Sequence, residues 1–167
     1  MRHVAEPENQ RFRMLALSAL PQLNRLARAL CSNRANADDL VQDTYVRALR
    51  YLDSFQGGDI RAWLVAIMRN LHRSSFIGQP EEVEIGALEG LGDPTPGPEQ
   101  IVQRRHEDRI LRNHIAALPE GLREALLLRE FAELSYAEIA KIQNVPIGTV
   151  MSRLARARAS LRESLSP

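Results

Sequence analysis

The chain has 167 residues, 44% of them hydrophobic and 26% charged, a balance that fits one or two ordinary folded domains. No apolar run approaches the roughly 18 residues of a membrane span. The polar stretch over residues 1–10 is followed by no signal-type apolar core, so a cytoplasmic location is expected. The sole cysteine, Cys31, excludes an intramolecular disulfide and a thiolate metal cluster. A net charge of +1 decides nothing about partners, but its distribution is uneven. Residues 1–76 carry 11 Arg against 7 acids, residues 77–103 carry 6 acids and no base, and residues 141–167 carry 5 bases against 1 acid. Two basic ends therefore flank an acidic middle.

Helical periodicity dominates. Phe12, Leu15, Ala19, Leu23, Leu26, Ala27 and Leu30 recur every three or four positions. This predicts a helix that Pro21 kinks or splits, because proline cannot donate to the hydrogen-bond ladder. A second helix is predicted over about 37–52, with Val41, Tyr45, Ala48 and Leu52 on its inner face. Gly57 and Gly58 break the chain, and Asp59 can cap a third helix. Its apolar stripe is Ile60, Trp63, Leu64, Ile67, Met68 and Leu71, and its opposite face carries Arg61, Arg69, Asn70 and Arg73. Trp63 could serve as a base-stacking platform, but its place on the stripe assigns it to the core. Residues 77–98, rich in Gly, Pro and Glu without a sustained period, read as a linker. As a coil it averages roughly 25 Å end to end, and fully stretched it reaches about 70 Å. Helical pattern resumes over 101–118 and 120–131, followed by a short element from Ser135 and a last helix over about 147–165. No strand is predicted. The expected fold is all-α, with small helical domains over 1–76 and 99–167 joined by the acidic linker 77–98.

Residues 134–161 carry the strongest functional signal. Ser135 with Glu138 three positions on makes a capping box. Ile139 and Ala140 face inward, Asn144 tolerates a left-handed turn, and Pro146 stands at or just before the next helix. Val150 and Leu154, four apart, bury that helix on its predecessor. The spacing is that of a helix-turn-helix, whose second helix enters the major groove. Thr149, Ser152, Arg153 and Arg156 are expected on its exposed side, with Arg158 one turn on, as donors for base edges and phosphates. A merely solvated basic face is the competing reading. The capped first helix, the Asn-Val-Pro turn and the apolar register together favour the helix-turn-helix.

The string VPIGTVMSRLARAR resembles the second half of region 4 in sigma-70-family factors of the small extracytoplasmic-function (ECF) type. NRANADDLVQDTYVRALRYLDSF resembles region 2.2, and DIRAWLVAIMRNLHR resembles regions 2.3 and 2.4. The resemblance covers about residues 10–76 and 99–163, in family order. It implies a sigma factor that binds core RNA polymerase at the β′ clamp helices and the β flap. Such a factor directs promoter-specific transcription initiation under the control of an anti-sigma factor. The resemblance places Asp39, Gln42, Asp43, Val46 and Arg50 against the clamp helices, and Arg61, Arg69, Asn70 and Arg73 on the −10 element. Phe55, Gln56, Gly57 and Gly58 occupy the position that holds a flipped base in relatives. Thr149, Ser152, Arg153 and Arg156 are then the −35 readers, with Arg158 on phosphate. Two departures stand out: Ser74 where many relatives carry Asp, and Met151 where Lys or Arg is common.

Nothing suggests catalysis. His3, His72, His106 and His114 have no metal-ligand spacing, and there is no Gly-rich phosphate loop or nucleophile elbow. No enzyme activity, cofactor, metal or small-molecule substrate is expected. Two other functions compete. A stand-alone helix-turn-helix regulator would act as a symmetric dimer and would not need the DLVQD helix. A sigma-like decoy that binds an anti-sigma factor would be expected to lose the basic faces that Arg153, Arg156 and Arg158 retain.

Overall fold

Where the apolar period holds, helices form, and none of the described residues lies in a strand. The computed structural model describes residues 6–75 and 97–166. The first unit comprises α1 (Glu6–Ser18), α2 (Leu20–Leu30), α3 (Arg34–Arg50), a single 3-10 turn (Leu52–Ser54) and α4 (Ile60–Ser75). Pro21 splits the first predicted helix outright, sitting in the first turn of α2, where its missing N–H costs nothing. Leu15, expected inside, is 45% exposed, and Ala16 takes the buried position instead. The helix predicted from about residue 37 begins at Arg34, because the Asn33 side chain accepts from the Asn36 N–H at 2.8 Å and caps it.

α4 packs against α2 and α3 together. It is therefore buried on more than the single predicted stripe: Val65, off that stripe, is fully enclosed along with Leu64 and Met68. Tyr45 ties α3 to α1 by donating to the Ala16 carbonyl at 2.7 Å, and desolvation raises its phenol to about 12. Thr44, the buried polar residue of this core, donates to the Leu40 carbonyl at 2.7 Å.

The second unit comprises α5 (Pro98–Ala116), α6 (Glu120–Glu130), α7 (Tyr136–Gln143) and α8 (Ile147–Leu165). Pro98, placed by the sequence at the end of the linker, opens α5, with Gly97 as its cap. Residues 77–96 of that linker lie outside the described residues. α8 packs on α5, α6 and α7. Leu134, Ile139, Val150 and Leu154 are fully buried between them, and each such burial contributes about 1.5–3 kcal/mol. Arg123 donates to the Ala116 carbonyl at 2.7 Å, placing a cation at the negative end of α5. Among the described residues, no helix is long and apolar enough to cross a membrane.

Candidate nucleic-acid and polymerase interface

The outer face of α3 follows from its register. Asp39, Gln42, Asp43, Val46 and Arg50 recur at helical spacing opposite the buried Leu40, Val41, Thr44 and Ala48, and all five are exposed. Val46, at 45% exposure, gives this otherwise polar row an apolar centre.

The loop after α3 is built by its aromatic residue and its glycines. Phe55, Phe12 and Trp63 form a three-ring cluster with centroids 5.9, 5.9 and 5.2 Å apart. Phe55 is thereby turned into the fold rather than offered to a base. Trp63 is half-buried in the same cluster, in keeping with its core assignment. Gly57 and Gly58 have φ of 88° and 91°, and a Cβ on either would meet nothing within 4 Å. The demand for glycine there is conformational rather than steric. Asp59 then starts α4 by accepting from the Arg61 N–H at 2.8 Å, and its second oxygen takes the Arg61 guanidinium at 3.1 Å. Burial raises its pKa, but the Arg61 N–H and the Arg61 charge outweigh that and hold it below the usual value.

The polar face of α4 is not the open basic strip the sequence suggested. Asn70 and Arg73 are exposed, but Arg61 and Arg69 are half-buried because acids of the second unit cover them. Arg69 Nε donates to Glu124, and Arg69 Nη2 lies 3.3 Å from the other Glu124 oxygen. Arg73 pairs with Glu120 at 2.6 Å. Glu133 receives Arg25 at 2.6 Å and lies 3.9 Å from Arg61. Beside α4, a concavity of about 260 Å³ is lined by Arg47, Tyr51, Ser54, Trp63, Asn70 and Ser74. Sequence reasoning missed it, since its walls come from three separate elements and no local spacing announces it.

The second unit forms the predicted helix-turn-helix from α7 and α8. The capping box is present in both directions: Glu138 N–H donates to Ser135 Oγ at 3.2 Å, and Ser135 N–H donates to Glu138 at 2.7 Å. Asn144 closes α7 in the left-handed region, at φ 54°, and Pro146 caps α8. Ser152 and Arg156 are exposed on α8 as expected, whereas Thr149 and Arg153 are half-buried. Arg153 folds back to donate to Gln143 Oε1 at 3.0 Å, and a Cβ on Gly121 would come within 3.1 Å of its Cζ. Gln143 in turn donates to Glu124 at 2.8 Å and to the Gly121 carbonyl at 3.2 Å. Arg158 pairs with Glu130 at 3.0 Å; that carboxylate and the Tyr136 hydroxyl raise its pKa further. Gln143 and Glu124, which position Arg153, could not be singled out from the sequence, since both sit on helices as ordinary polar residues.

A chain whose described residues form helices and no strand, the last two a capped helix-turn-helix, preceded by a unit whose α4 carries Arg61, Arg69 and Arg73, is in the class of DNA-binding transcription proteins. The "Sigma-70 region 2" family matches residues 15–76 and the "Sigma-70, region 4" family matches residues 108–161. The ECF RNA polymerase sigma factor EcfG of Rhodopseudomonas palustris is 39% identical over 146 residues, covering 87% of this chain and 80% of that one. The ECF RNA polymerase sigma-E factor of Salmonella typhimurium is 35% identical over 140 residues, covering 77% and 73%. Among solved structures, the sigma factor RpoE in complex with the anti-sigma factor NepR from Bartonella quintana aligns with a TM-score of 0.72 at 30% identity, covering 93% of this chain and 97% of that one. A score of that size over both units requires the two to be placed alike relative to each other. The chain belongs to the sigma-70 family, as an ECF RNA polymerase sigma factor.

Proposed function

We propose that the protein binds core RNA polymerase and directs it to promoters, acting by binding rather than by catalysis of its own. The outer row of α3 meets the polymerase clamp, the first unit engages the −10 element and the helix-turn-helix engages the −35 element. The stretch between α4 and α5 then serves as the spacer, with the second domain starting at the Gly97 cap of α5. The observation that carries this reading is the pairing, in one chain, of a fully exposed α3 row with a capped and packed helix-turn-helix. An operator-binding regulator has use for the second alone.

Within the first unit, Arg61, Arg69, Asn70 and Arg73 meet the nucleic-acid backbone and the opened strand. With Phe55 committed to the core, the concavity under Tyr51 and Trp63 is better suited to an unstacked base than the 55–58 loop. It offers two aromatic walls with Asn70, Ser54 and Ser74 as hydrogen-bonding groups. A base held there offsets the few kcal/mol that unstacking costs. On α8, Ser152 and Arg156 are the −35 readers. Thr149 contributes from the edge of that face, and Arg153 and Arg158 act closer to the protein surface. Control by an anti-sigma factor is supported by the likeness in unit placement to a sigma factor solved with one bound.

The α3 row gives the test. Reversing a charge at an interface typically adds several kcal/mol of repulsion. Asp39→Arg with Gln42→Ala is therefore expected to abolish capture of core polymerase while leaving the circular dichroism spectrum unchanged. Undiminished capture by this variant would remove α3 from the polymerase interface.

A further inference from the structure

Over residues 147–156 of α8, the exposed positions are Ile147, Gly148, Met151, Ser152, Ala155 and Arg156. Of these, Ser152 and Arg156 alone carry a side-chain donor; Arg153, drawn onto Gln143, is half-buried. The rest of the face is apolar or bare. Met151 is 55% and Ile147 48% exposed, and they stand four residues apart, so their side chains lie one above the other on the helix. Val150 and Leu154 already hold α8 to its neighbours, and the exposed pair has no share in that buried seam. Gly148, in the first turn, has no atom within 4 Å of where its Cβ would stand. Nothing inside the protein requires a glycine there, whereas a bare backbone lets an outside surface come close.

The surroundings of the pair are cationic. No acid occurs between Lys141 and Arg162, and Ile147 lines an open groove together with Lys141, Ala137 and Pro146. An apolar patch with a positive rim favours a polyanion over an ordinary protein surface. Its place in the fold agrees, because the N-terminal residues of the second helix of a helix-turn-helix are the ones that meet base edges.

We infer that Met151, backed by Ile147, reads a thymine of the −35 element through the 5-methyl group of the base. The inference rests on the proposed engagement of the −35 element by α8, and it adds an apolar contact to the polar ones of Ser152 and Arg156. In the major groove every base edge presents donors or acceptors, and thymine alone adds a methyl. A thioether carries no charge and donates no hydrogen bond, so Met151 gains nothing from a phosphate or from the acceptors of guanine. Its favourable partner is the methyl, which its unbranched and adaptable chain can cover.

The test uses holoenzyme assembled from core polymerase and the full-length protein, with promoters obtained by mapping transcript starts. Each −35 thymine is replaced in turn by deoxyuridine, which removes the methyl and keeps the hydrogen-bonding edge. Competition binding at one fixed salt concentration reads the affinity. With the parent protein, uridine at one −35 position should weaken binding about fourfold, the loss expected for one buried methyl. With Met151→Ala, the same replacement should have no effect, while the thermal melt matches the parent. Arg156→Ala should keep the uridine effect and relax preference at other −35 positions.

The inference is overturned if uridine has no effect at any −35 position, or if Met151→Ala leaves the effect intact. Should Arg156→Ala then still alter the −35 preference, α8 remains the −35 reader and Met151 alone is withdrawn. If neither variant alters the preference, the −35 reading falls and the inference falls with it. A loss by Met151→Ala that is equal on every promoter and matched by weaker capture of core polymerase would place Met151 against the polymerase, and overturns the inference as well.

Discussion

Replacing Arg153 by alanine is expected to destabilise the second unit by about 1–2 kcal/mol, where a mere surface arginine would cost almost nothing. Its guanidinium donates to Gln143 at 3.0 Å and lies over Gly121. A hydrogen bond to a charged group contributes about 1.5–3 kcal/mol, and the half-buried setting of Arg153 places it at or below the lower end. For a unit of this size, each kcal/mol moves the melting temperature by about 4–8 °C, so a fall of about 4–16 °C is predicted. Arg156 is exposed one turn along, so Arg156→Ala should melt with the parent protein. Instead it should relax preference at one or two −35 positions, because a base contact is worth about 1–3 kcal/mol of discrimination. Thermal melts of both variants, with transcription from a library of −35 sequences, separate the two roles. An unshifted melt for Arg153→Ala with an altered −35 preference would refute the reasoning and make Arg153 a base reader.

Two further predictions concern the scaffold. Leu154→Ala removes a fully buried side chain from the seam between α8 and its neighbours. It should cost about 2–5 kcal/mol, read as a loss of urea midpoint in the second unit with the first unit's transition little changed. His72 is held below its ordinary pKa by burial, which outweighs the Leu30 carbonyl at 3.2 Å and the charge of Glu124. With the folded value depressed, its contribution is fully present above about pH 6.5, the ordinary histidine value. It is lost as pH falls from there toward the folded value, because the unfolded chain takes up the proton first. Urea titrations between pH 7.5 and 5.5 should therefore show falling stability, and His72→Gln should flatten that slope; an unchanged slope would remove His72 as its source.

The helices were legible because each carries its own punctuation: Pro21 in the first turn of α2, Gly57 and Gly58 before α4, Ser135 with Glu138 at α7, and Asn144 with Pro146 at the turn. The misjudged points are tertiary. Leu15 faces out because Ala16, four residues after the buried Phe12, takes the inner position on α1, and Val65 is buried because α4 has neighbours on two sides. Arg153 falls on the polar side of its helix by spacing alone, yet Gln143, ten residues away on another helix, draws it inward. The acids over Arg69 and Arg73 lie 55 and 47 residues along the chain, beyond any local pattern.

Promoter-directed initiation is the central claim, and transcription in vitro tests it most directly. Purified core RNA polymerase, genomic DNA and this protein are combined, and the 5′ ends of the transcripts are mapped. A discrete set of starts, each preceded by shared −10 and −35 elements and absent without the protein, is the predicted result. An unchanged transcript profile, together with tight footprinting of a palindromic site by the protein alone, would contradict the account.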